Sequence, residues 1–419
     1  KDIVERLQLP KLYVAGFDRP NISYEVAIKD NPRAQLLRFL KARNDNESGI
    51  VYCLSRKKVE ETAKWLAGQG YKALPYHARL DKDVRNANQE RFLKEEGIIM
   101  VATIAFGMGI NKPDVRFVAH MDLPKNIEAY YQETGRAGRD GIASVAWMVY
   151  GLQDLALQRQ MIENSDSPPE QKRIERQKLT AFLGYCESAT CRRQVLLRYF
   201  DDNGEPCGNC DTCESPPKTF DASIAAQKLL SCVLRTGQMF GGGYVIDVLL
   251  GKTSERMENF GHTALSTFGI GTEHSAKEWQ SLIRQLVARG HLFVDMDAHG
   301  GLKVTQEGID FLKAKPELQL RLDPKTIGGS NSAKSGKKTD PALSLESEAD
   351  QALFAELKAL RMGIAKENNI PPYVVFHDKT LIDMVLRKPL SLLAMSSVPG
   401  VGQSKLEKYG QVFLDAINK

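Results

Sequence analysis

Two arginines three residues apart, Arg136 and Arg139, offer the most evident chemistry in this sequence. They lie among three glycines in the segment TGRAGRDG, residues 134–141. An arginine side chain stays charged and can hold two phosphate oxygens at once, and glycine lets the backbone approach a ligand closely. A helical run enters this segment and an apolar run, residues 143–150, leaves it, so we expect an anion-binding loop at the edge of a sheet. A solvated basic turn is the alternative interpretation.

Four cysteines form a second set of side chains with chemistry of their own. They are Cys191, Cys207, Cys210 and Cys213, with the spacing C-x15-C-x2-C-x2-C. Four thiolates on short turns suit a tetrahedral zinc ion, and a closed shell of four sulfurs leaves no position for a substrate. The spacing therefore predicts a structural zinc site. An iron–sulfur cluster is the alternative, and Cys186 competes with Cys191 for the first position.

The arginine loop needs a sheet to position it, and the preceding sequence predicts one. Helical patterns alternate with short apolar runs, the helices at about 32–42, 56–68 and 82–95 and the runs at about 50–54, 72–76, 98–102 and 115–121. Such alternation is typical of a parallel α/β sheet. A second glycine-containing loop, residues 103–113, follows one of these runs. Two such loops at neighbouring strand ends favour a shared nucleotide crevice.

These blocks are similar to known motifs. The segments VATIAFGMGINKPDVRFV (101–118) and YYQETGRAGRDG (130–141) resemble motifs V and VI of superfamily 2 helicases and are very similar to those of the RecQ DNA helicases. The segments FDRPN (17–21) and GIVYC (49–53) resemble the same family in the same order, so the resemblance covers effectively the whole chain. It implies the fold class as well: an α/β RecA-like parallel-sheet lobe, a zinc-binding helical module, a winged helix and a small all-α HRDC domain.

The resemblance implies roles for the residues of the two loops. One of Arg136 and Arg139 is the arginine finger on the γ-phosphate of ATP, and we favour Arg139 because it lies further from the helix. Gln132 helps to couple ATP to DNA, while Gly107 and Gly109 let the backbone approach the nucleotide. A finger of this kind contributes roughly 10³- to 10⁵-fold to the rate of phosphoryl transfer.

The resemblance also implies a first lobe with the P-loop lysine and most of the site for the Mg²⁺ that accompanies ATP. The only Gly-Lys-Thr, residues 251–253, has Ile246 where a P-loop has its first glycine, and we interpret it as a helix-end turn. No Asp-Glu-x-His motif occurs either. The chain therefore resembles a RecQ helicase without its first lobe, and we expect it to be inactive as an ATPase on its own.

Five residues are candidate DNA contacts, and each has a structural alternative. Thr103 either offers its hydroxyl and amide to a DNA phosphate or caps a turn. Lys277 and Arg284 lie on the polar face of a predicted helix and face either phosphates or solvent. His299 at the tip of a predicted hairpin either stacks on the terminal base pair or is merely exposed. Tyr373 either stacks on a base or packs inside its own domain.

One position departs from the family pattern. The block YHARL, residues 76–80, matches the family's Tyr-His-Ala-Gly-Leu except that Arg79 replaces the glycine. If that position needs a positive φ, arginine is strained there. Either the turn differs, then, or the arginine adds a phosphate contact.

The chain divides into six predicted segments. They are a leading segment that continues from a preceding lobe (1–31), the second RecA-like lobe (32–151), the zinc-binding module (152–216), the winged helix (217–321), a flexible linker rich in Gly, Ser and Lys (322–346), and the HRDC domain (347–419). In the zinc-binding module, the context Thr-Cys-Arg-Arg at 190–193 matches the family and assigns Cys191, rather than Cys186, to the cysteine set.

Composition permits this function without indicating it. The net charge of +5 falls short of the strongly basic balance that marks a DNA-binding protein by itself. Without a long apolar run or a signal peptide, we expect no membrane partner and a bacterial cytoplasmic protein associated with the nucleoid. The resemblance implies duplex, forked and single-stranded DNA as partners, and the C-terminal tail of single-stranded DNA-binding protein; we expect a monomer. The alternative function is a non-enzymatic adaptor that binds DNA through the zinc module and the winged helix.

Overall fold

The computed structural model describes residues 16–44, 46–107, 110–295, 300–323, 345 and 347–419. Its N-terminal unit is a six-stranded sheet in which all neighbouring strands are parallel. The strands are β1 (Ile22–Ile28), β2 (Ser48–Tyr52), β3 (Lys72–Tyr76), β4 (Ile98–Ala102), β5 (Val115–His120) and β6 (Ser144–Tyr150), in the spatial order β1-β6-β5-β2-β4-β3. The helices of this unit are α1 (Pro32–Lys41), α2 (Arg56–Gly68), α3 (Lys82–Lys94) and α4 (Ile127–Thr134).

The sheet forms because its middle strands are apolar on both sides. Strands β2, β4, β5 and β6 are buried along their whole length, as parallel strands covered by helices on both faces must be. Ile50 and Val51 lie in different apolar clusters, because successive residues of a strand point to opposite faces. Side-chain caps start the helices; the Ser55 hydroxyl, for example, accepts from the amide of Lys58 at 3.2 Å. The predicted parallel α/β lobe is confirmed.

The leading segment holds a strand that the sequence analysis missed. Residues Ile22–Ile28 form β1, which pairs with β6 from Ile22 opposite Ser144 to Ile28 opposite Tyr150. The expectation that the first 31 residues are only a leading segment is therefore wrong for β1. The strand escaped notice because only Ile22 and Tyr24 are buried, and Glu25 interrupts its apolar side chains. Residues 1–15 lie outside the described part.

A helical module and a winged helix follow the sheet. The helical module consists of α5 (Leu152–Glu163), α6 (Pro169–Cys186), α7 (Arg192–Tyr199) and α8 (Asp211–Glu214). The winged helix consists of β7 (Thr219–Asp221), α9 (Ser223–Arg235), α10 (Gly242–Leu249), α11 (Glu255–Asn259), a 3-10 turn (His262–Ala264), α12 (Ala276–Ala288), β8 (Leu292–Asp295), β9 (Gly301–Val304), α13 (Gln306–Ala314) and β10 (Gln319–Arg321). Strands β8 and β9 form the predicted antiparallel hairpin, and Trp279 and Ile283 of α12 are buried as predicted.

The Gly-Lys-Thr sequence is a helix-end turn, as expected. It follows α10, and the amide of Gly251 donates to the carbonyl of Val248 at 3.1 Å. Gly251 has a φ of +68°, the left-handed conformation that often ends a helix.

The C-terminal unit is all helical and has a core of its own. It consists of α14 (Glu348–Glu367), α15 (Pro372–Val375), α16 (Asp378–Arg387), α17 (Leu392–Ser396), α18 (Gln403–Lys405), a π-helical turn (Leu406–Gly410) and α19 (Gln411–Ile417). It contacts the sheet unit through Glu96, which pairs with Arg361 at 3.0 Å and Lys358 at 3.3 Å. Most of the predicted linker, including 324–344, lies outside the described residues. Among the helices described, none has both the length and the apolar character needed to cross a bilayer.

Candidate nucleotide and DNA site

The arginine loop, residues 134–141, leads from the end of α4 to β6 at the amino edge of the sheet. The amide of Gly138 donates to the carbonyl of Val115, the first residue of β5, at 2.9 Å. Gly138 and Gly141 have φ values of +58° and +82°, in the region that favours glycine. Two of the three glycines therefore shape the loop itself, which fixes where its arginines emerge.

Two side chains from outside the loop hold it in place. The Asn21 side-chain amide donates to the carbonyls of Gly138 at 2.8 Å and Ile142 at 2.9 Å. The buried guanidinium of Arg116 pairs with the carboxylate of Asp140. The FDRPN segment carried the family resemblance without a stated role, and the structure shows that its asparagine clamps the arginine loop.

Arg136 packs directly against the second glycine-containing loop. A Cβ added to Gly107 would lie 2.7 Å from the Nη2 atom of Arg136, so any larger residue there would require the guanidinium to shift. The Nε atom of Arg136 is shielded from solvent and has no hydrogen-bond partner among the described residues. The structure thus places Gly107 against Arg136. The close approach of Gly107 to ATP stays a prediction. Gly109 lies outside the described residues.

Arg139 is exposed, and its side chain contacts the second glycine-containing loop. Its Nη1 atom donates to the side chain of Asn111 at 2.8 Å and to the carbonyl of Ile110 at 3.3 Å. Partial burial of the guanidinium, followed by repulsion from Arg136 and Arg19, lowers the pKa of Arg139. Within the described chain, none of these three arginines forms an ion pair with an acid. Such a cluster of unneutralised cations suits a polyanion.

Gln132 and Arg19 lie outside the arginine loop but next to it. Gln132 is exposed in the last turn of α4, ahead of Arg136. Arg19 was not singled out in the sequence, although it lies in the same FDRPN segment as Asn21. Only the folded chain brings it to the arginine loop.

The four predicted cysteines come together. Their sulfur atoms lie within 4.8 Å of one another, with Cys191 to Cys207 at 3.5 Å, Cys207 to Cys213 at 4.0 Å and Cys191 to Cys210 at 4.0 Å. A tetrahedral ion with bonds of about 2.3 Å spaces its sulfurs about 3.8 Å apart. The set therefore fits a closed four-sulfur zinc site. Cys186 is not part of the set.

The helical module, which carries these four cysteines, covers the edge of the sheet at β1. Arg193 donates to the carbonyl of Ile22 at 2.8 Å, and the amide of Val26 donates to the carboxylate of Asp211 at 3.0 Å. Buried Arg192 holds the same carboxylate through two bonds of 2.9 and 3.1 Å. Backbone groups of β1 that an edge strand would leave unpaired are thereby satisfied.

The structure separates the two candidate DNA contacts of α12. Lys277 is exposed. Arg284 is buried, with its guanidinium 2.5 Å from the carboxylates of both Glu187 and Asp323. The expectation that Arg284 lies on a polar outer face is wrong, because that side of α12 packs against the helical module. Its charge is already neutralised, and we do not assign it to DNA.

The other candidate DNA contacts lie on different units. Thr103 follows β4 and lines an open cleft. Tyr373 is half-buried, and its ring stacks on His377 with a centroid distance of 6.2 Å. Burial, together with the charge of Asp114 on the sheet unit, raises the pKa of Tyr373. His299 lies outside the described residues.

Comparison with known domains divides the chain into four matched segments. Residues 32–141 match the helicase conserved C-terminal domain, 152–214 the RecQ zinc-binding domain, 216–327 the RQC domain and 350–417 the HRDC domain. The segments occur in the order that the sequence analysis expected.

Similar proteins extend over the whole chain. The ATP-dependent DNA helicase RecQ of Haemophilus influenzae is 43% identical over 424 residues, which cover 100% of this chain and 67% of that protein. The proteins of the same name from Pasteurella multocida and Bacillus subtilis are 42% and 35% identical, covering 100% and 99% of this chain and 66% and 68% of theirs. The chain thus spans about two thirds of the length of these relatives. On this identity and domain order, the chain belongs to the RecQ family of ATP-dependent DNA helicases.

Proposed function

We propose that this chain is the C-terminal portion of an ATP-dependent DNA helicase that moves 3′ to 5′ and unwinds duplex or forked DNA in recombination and repair. The observation that carries the proposal is the cluster of Arg19, Arg136 and Arg139, which has no acidic partner among the described residues. A non-enzymatic adaptor has no use for a clamped loop that presents unpaired arginines. A lobe that reaches across a cleft to a triphosphate needs such a loop.

In this proposal Arg139 contacts the γ-phosphate of ATP, and its charge stabilises the phosphoryl group during transfer. Arg136, fixed beside Gly107, is its partner, and Gln132 at the end of α4 relays the state of the nucleotide to DNA. Mg²⁺ would accompany the ATP and be held mainly by a first lobe. The residues of this chain orient the phosphates and neutralise charge.

The other units would engage DNA and partners. The four-cysteine site would hold one structural zinc ion. The winged helix, with Lys277 and the hairpin that carries His299, would meet duplex DNA, and Tyr373 of the HRDC domain would meet single strands. From the family resemblance, we further propose a monomer that works at the bacterial nucleoid and binds the C-terminal tail of single-stranded DNA-binding protein through the winged helix.

The test is DNA-stimulated ATP hydrolysis by the full-length gene product, wild type beside Arg139→Ala. Loss of the finger should lower the rate by about 10³-fold or more. The 419-residue chain alone should bind forked DNA and hydrolyse no ATP. The matched control is Arg38→Ala, since Arg38 is an exposed arginine on α1 without an ion pair in the described chain. Hydrolysis that survives Arg139→Ala would reject the assignment of the finger, and a wild type without hydrolysis would favour the adaptor.

A further inference from the structure

An open cleft lies at the carboxyl edge of the sheet, at the end opposite to the arginine loop. Its volume is about 520 Å³. It is lined by residues that directly follow three adjacent strands: Leu54, Ser55 and Arg56 after β2, Ala78 and Arg79 after β3, and Thr103 after β4. Crevices beyond the carboxyl ends of parallel strands are common ligand sites.

The cleft is positively charged. Arg56 and Arg79 are both exposed, and neither has an ion pair or hydrogen bond within the described chain. None of the described residues that line the cleft is acidic. Thr103 adds a hydroxyl between the two arginines, since β4 lies between β2 and β3 in the sheet. Two free guanidiniums and a hydroxyl around one cleft match the oxygens of a phosphate.

The backbone shows why arginine is tolerated where the family pattern has glycine. The amide of Leu80 donates to the carbonyl of His77 at 3.1 Å, which closes a turn with Ala78 and Arg79 at its centre. The φ of Arg79 is not positive. A glycine is therefore not required at this position, and the arginine is not strained. The strain that a positive φ would impose on Arg79 is therefore absent.

We propose that Arg79, together with Arg56 and Thr103, binds a phosphate of the DNA strand along which the protein moves. The proposal rests on the function proposed above and adds to it a contact that the family's glycine cannot make. The contact is to the backbone, so it strengthens binding of every sequence and increases the dependence of binding on salt.

The test is binding of a fluorescein-labelled oligothymidylate by the 419-residue chain, measured by anisotropy across a salt series. Arg79→Ala should weaken binding about 3- to 10-fold and reduce the slope of log K against log salt by about 0.7, the value for one phosphate of a single strand. Arg79→Lys should keep the slope because it keeps the charge. Arg38→Ala, on α1 and outside the cleft, should match the wild type in both.

Three results would overturn the proposal. The first is an unchanged affinity and slope in Arg79→Ala. The second is weaker binding in Arg79→Ala that Arg79→Lys does not restore and that accompanies a lower melting temperature, because that would mark a structural role. The third is loss of a fluorescent ATP analogue from full-length Arg79→Ala, because that would assign the cleft to nucleotide phosphates. Failure of the proposed function is separate, since it requires that the wild-type full-length protein show no DNA-stimulated ATPase activity.

Discussion

Asn21 lies 117 residues before the glycine whose carbonyl it holds. Its amide nitrogen donates two hydrogen bonds into the arginine loop, and Gly138 leaves the space for it, since a Cβ there would come within 2.3 Å of that nitrogen. Holding a charged group in one geometry is a large part of what a catalytic site must do. Asn21 is therefore a positioning residue for Arg136 and Arg139.

Replacing Asn21 by aspartate should detach the arginine loop. The substitution places a carboxylate beside two carbonyl oxygens, where no donor remains to satisfy them. We expect DNA-stimulated ATP hydrolysis by the full-length protein to fall about tenfold or more, since a misplacement of about 1 Å can cost about 100-fold in rate.

The measurement is kcat at saturating ATP and DNA, with thermal unfolding recorded in parallel. Asn21→Ala, which removes the donor without adding a charge, should fall between the wild type and Asn21→Asp. A melting temperature that drops while kcat per folded molecule stays constant would contradict the positioning role.

Residues that act through their own chemistry were predictable, and those that act through a distant contact were not. Arg136, Arg139 and the four cysteines are visible because their types and spacing carry the signal. Arg284 shows the opposite case: its helical face looks polar in sequence, but the acids that neutralise it, Glu187 and Asp323, come from segments 97 and 39 residues away. Burial of a charge is decided by tertiary partners, which local pattern does not contain.

At the level of secondary-structure elements, the helical module with its four cysteines and β1 depend on each other. The module supplies Arg193 and Asp211, which satisfy a carbonyl of Ile22 and an amide of Val26 on the exposed side of the strand. Sequence patterns predicted the middle strands because both of their faces are apolar. They missed β1 because a strand that is partly covered by polar contacts has no such continuous pattern.

Removing the metal should therefore loosen β1 before the rest of the sheet. Chelation, or Cys207→Ser, should release one zinc ion per chain, measured by a colorimetric metal assay. Hydrogen exchange of the amides in Ile22–Ile28 should then accelerate about tenfold or more, whereas β5 stays protected.

The control for this experiment is Cys186→Ala, because that buried cysteine lies outside the four-sulfur set and its loss should leave the zinc in place. Equal acceleration of exchange in β1 and β5 would mean that the site stabilises the whole lobe rather than its edge.

At the scale of the whole molecule, one buried carboxylate joins three units. Glu187, just after α6, accepts from Arg284 at 2.5 Å and pairs with Arg321 at 2.9 Å, both in the winged helix. It also accepts from the hydroxyl of Tyr150, the last residue of β6. The orientation of the winged helix relative to the sheet unit is thus fixed by charged groups that are almost fully buried.

Glu187→Gln should uncouple unwinding from ATP hydrolysis. The amide keeps the shape but leaves two buried arginines with one acid fewer, which should let the winged helix shift. We expect the rate of unwinding of a forked duplex to fall about tenfold, with ATP hydrolysis reduced no more than about threefold.

Both rates should be measured on the same preparation of full-length protein. The control is Glu163→Gln, which removes an exposed acid lying 3.6 Å from Arg176 on the same module. Parallel loss of both rates in Glu187→Gln would mean that the junction only stabilises the fold.

The cover over β1 also bears on how this protein behaves before it is complete. An uncovered sheet edge is a template on which another chain can add a strand, and β1 contains five apolar side chains among its seven residues. During synthesis, the edge is shielded only after the cysteines, which lie well over a hundred residues later, have emerged and come together around the proposed zinc ion. Cells short of zinc should therefore accumulate this protein as insoluble aggregates, even though the proposed zinc site is structural and takes no part in ATP hydrolysis.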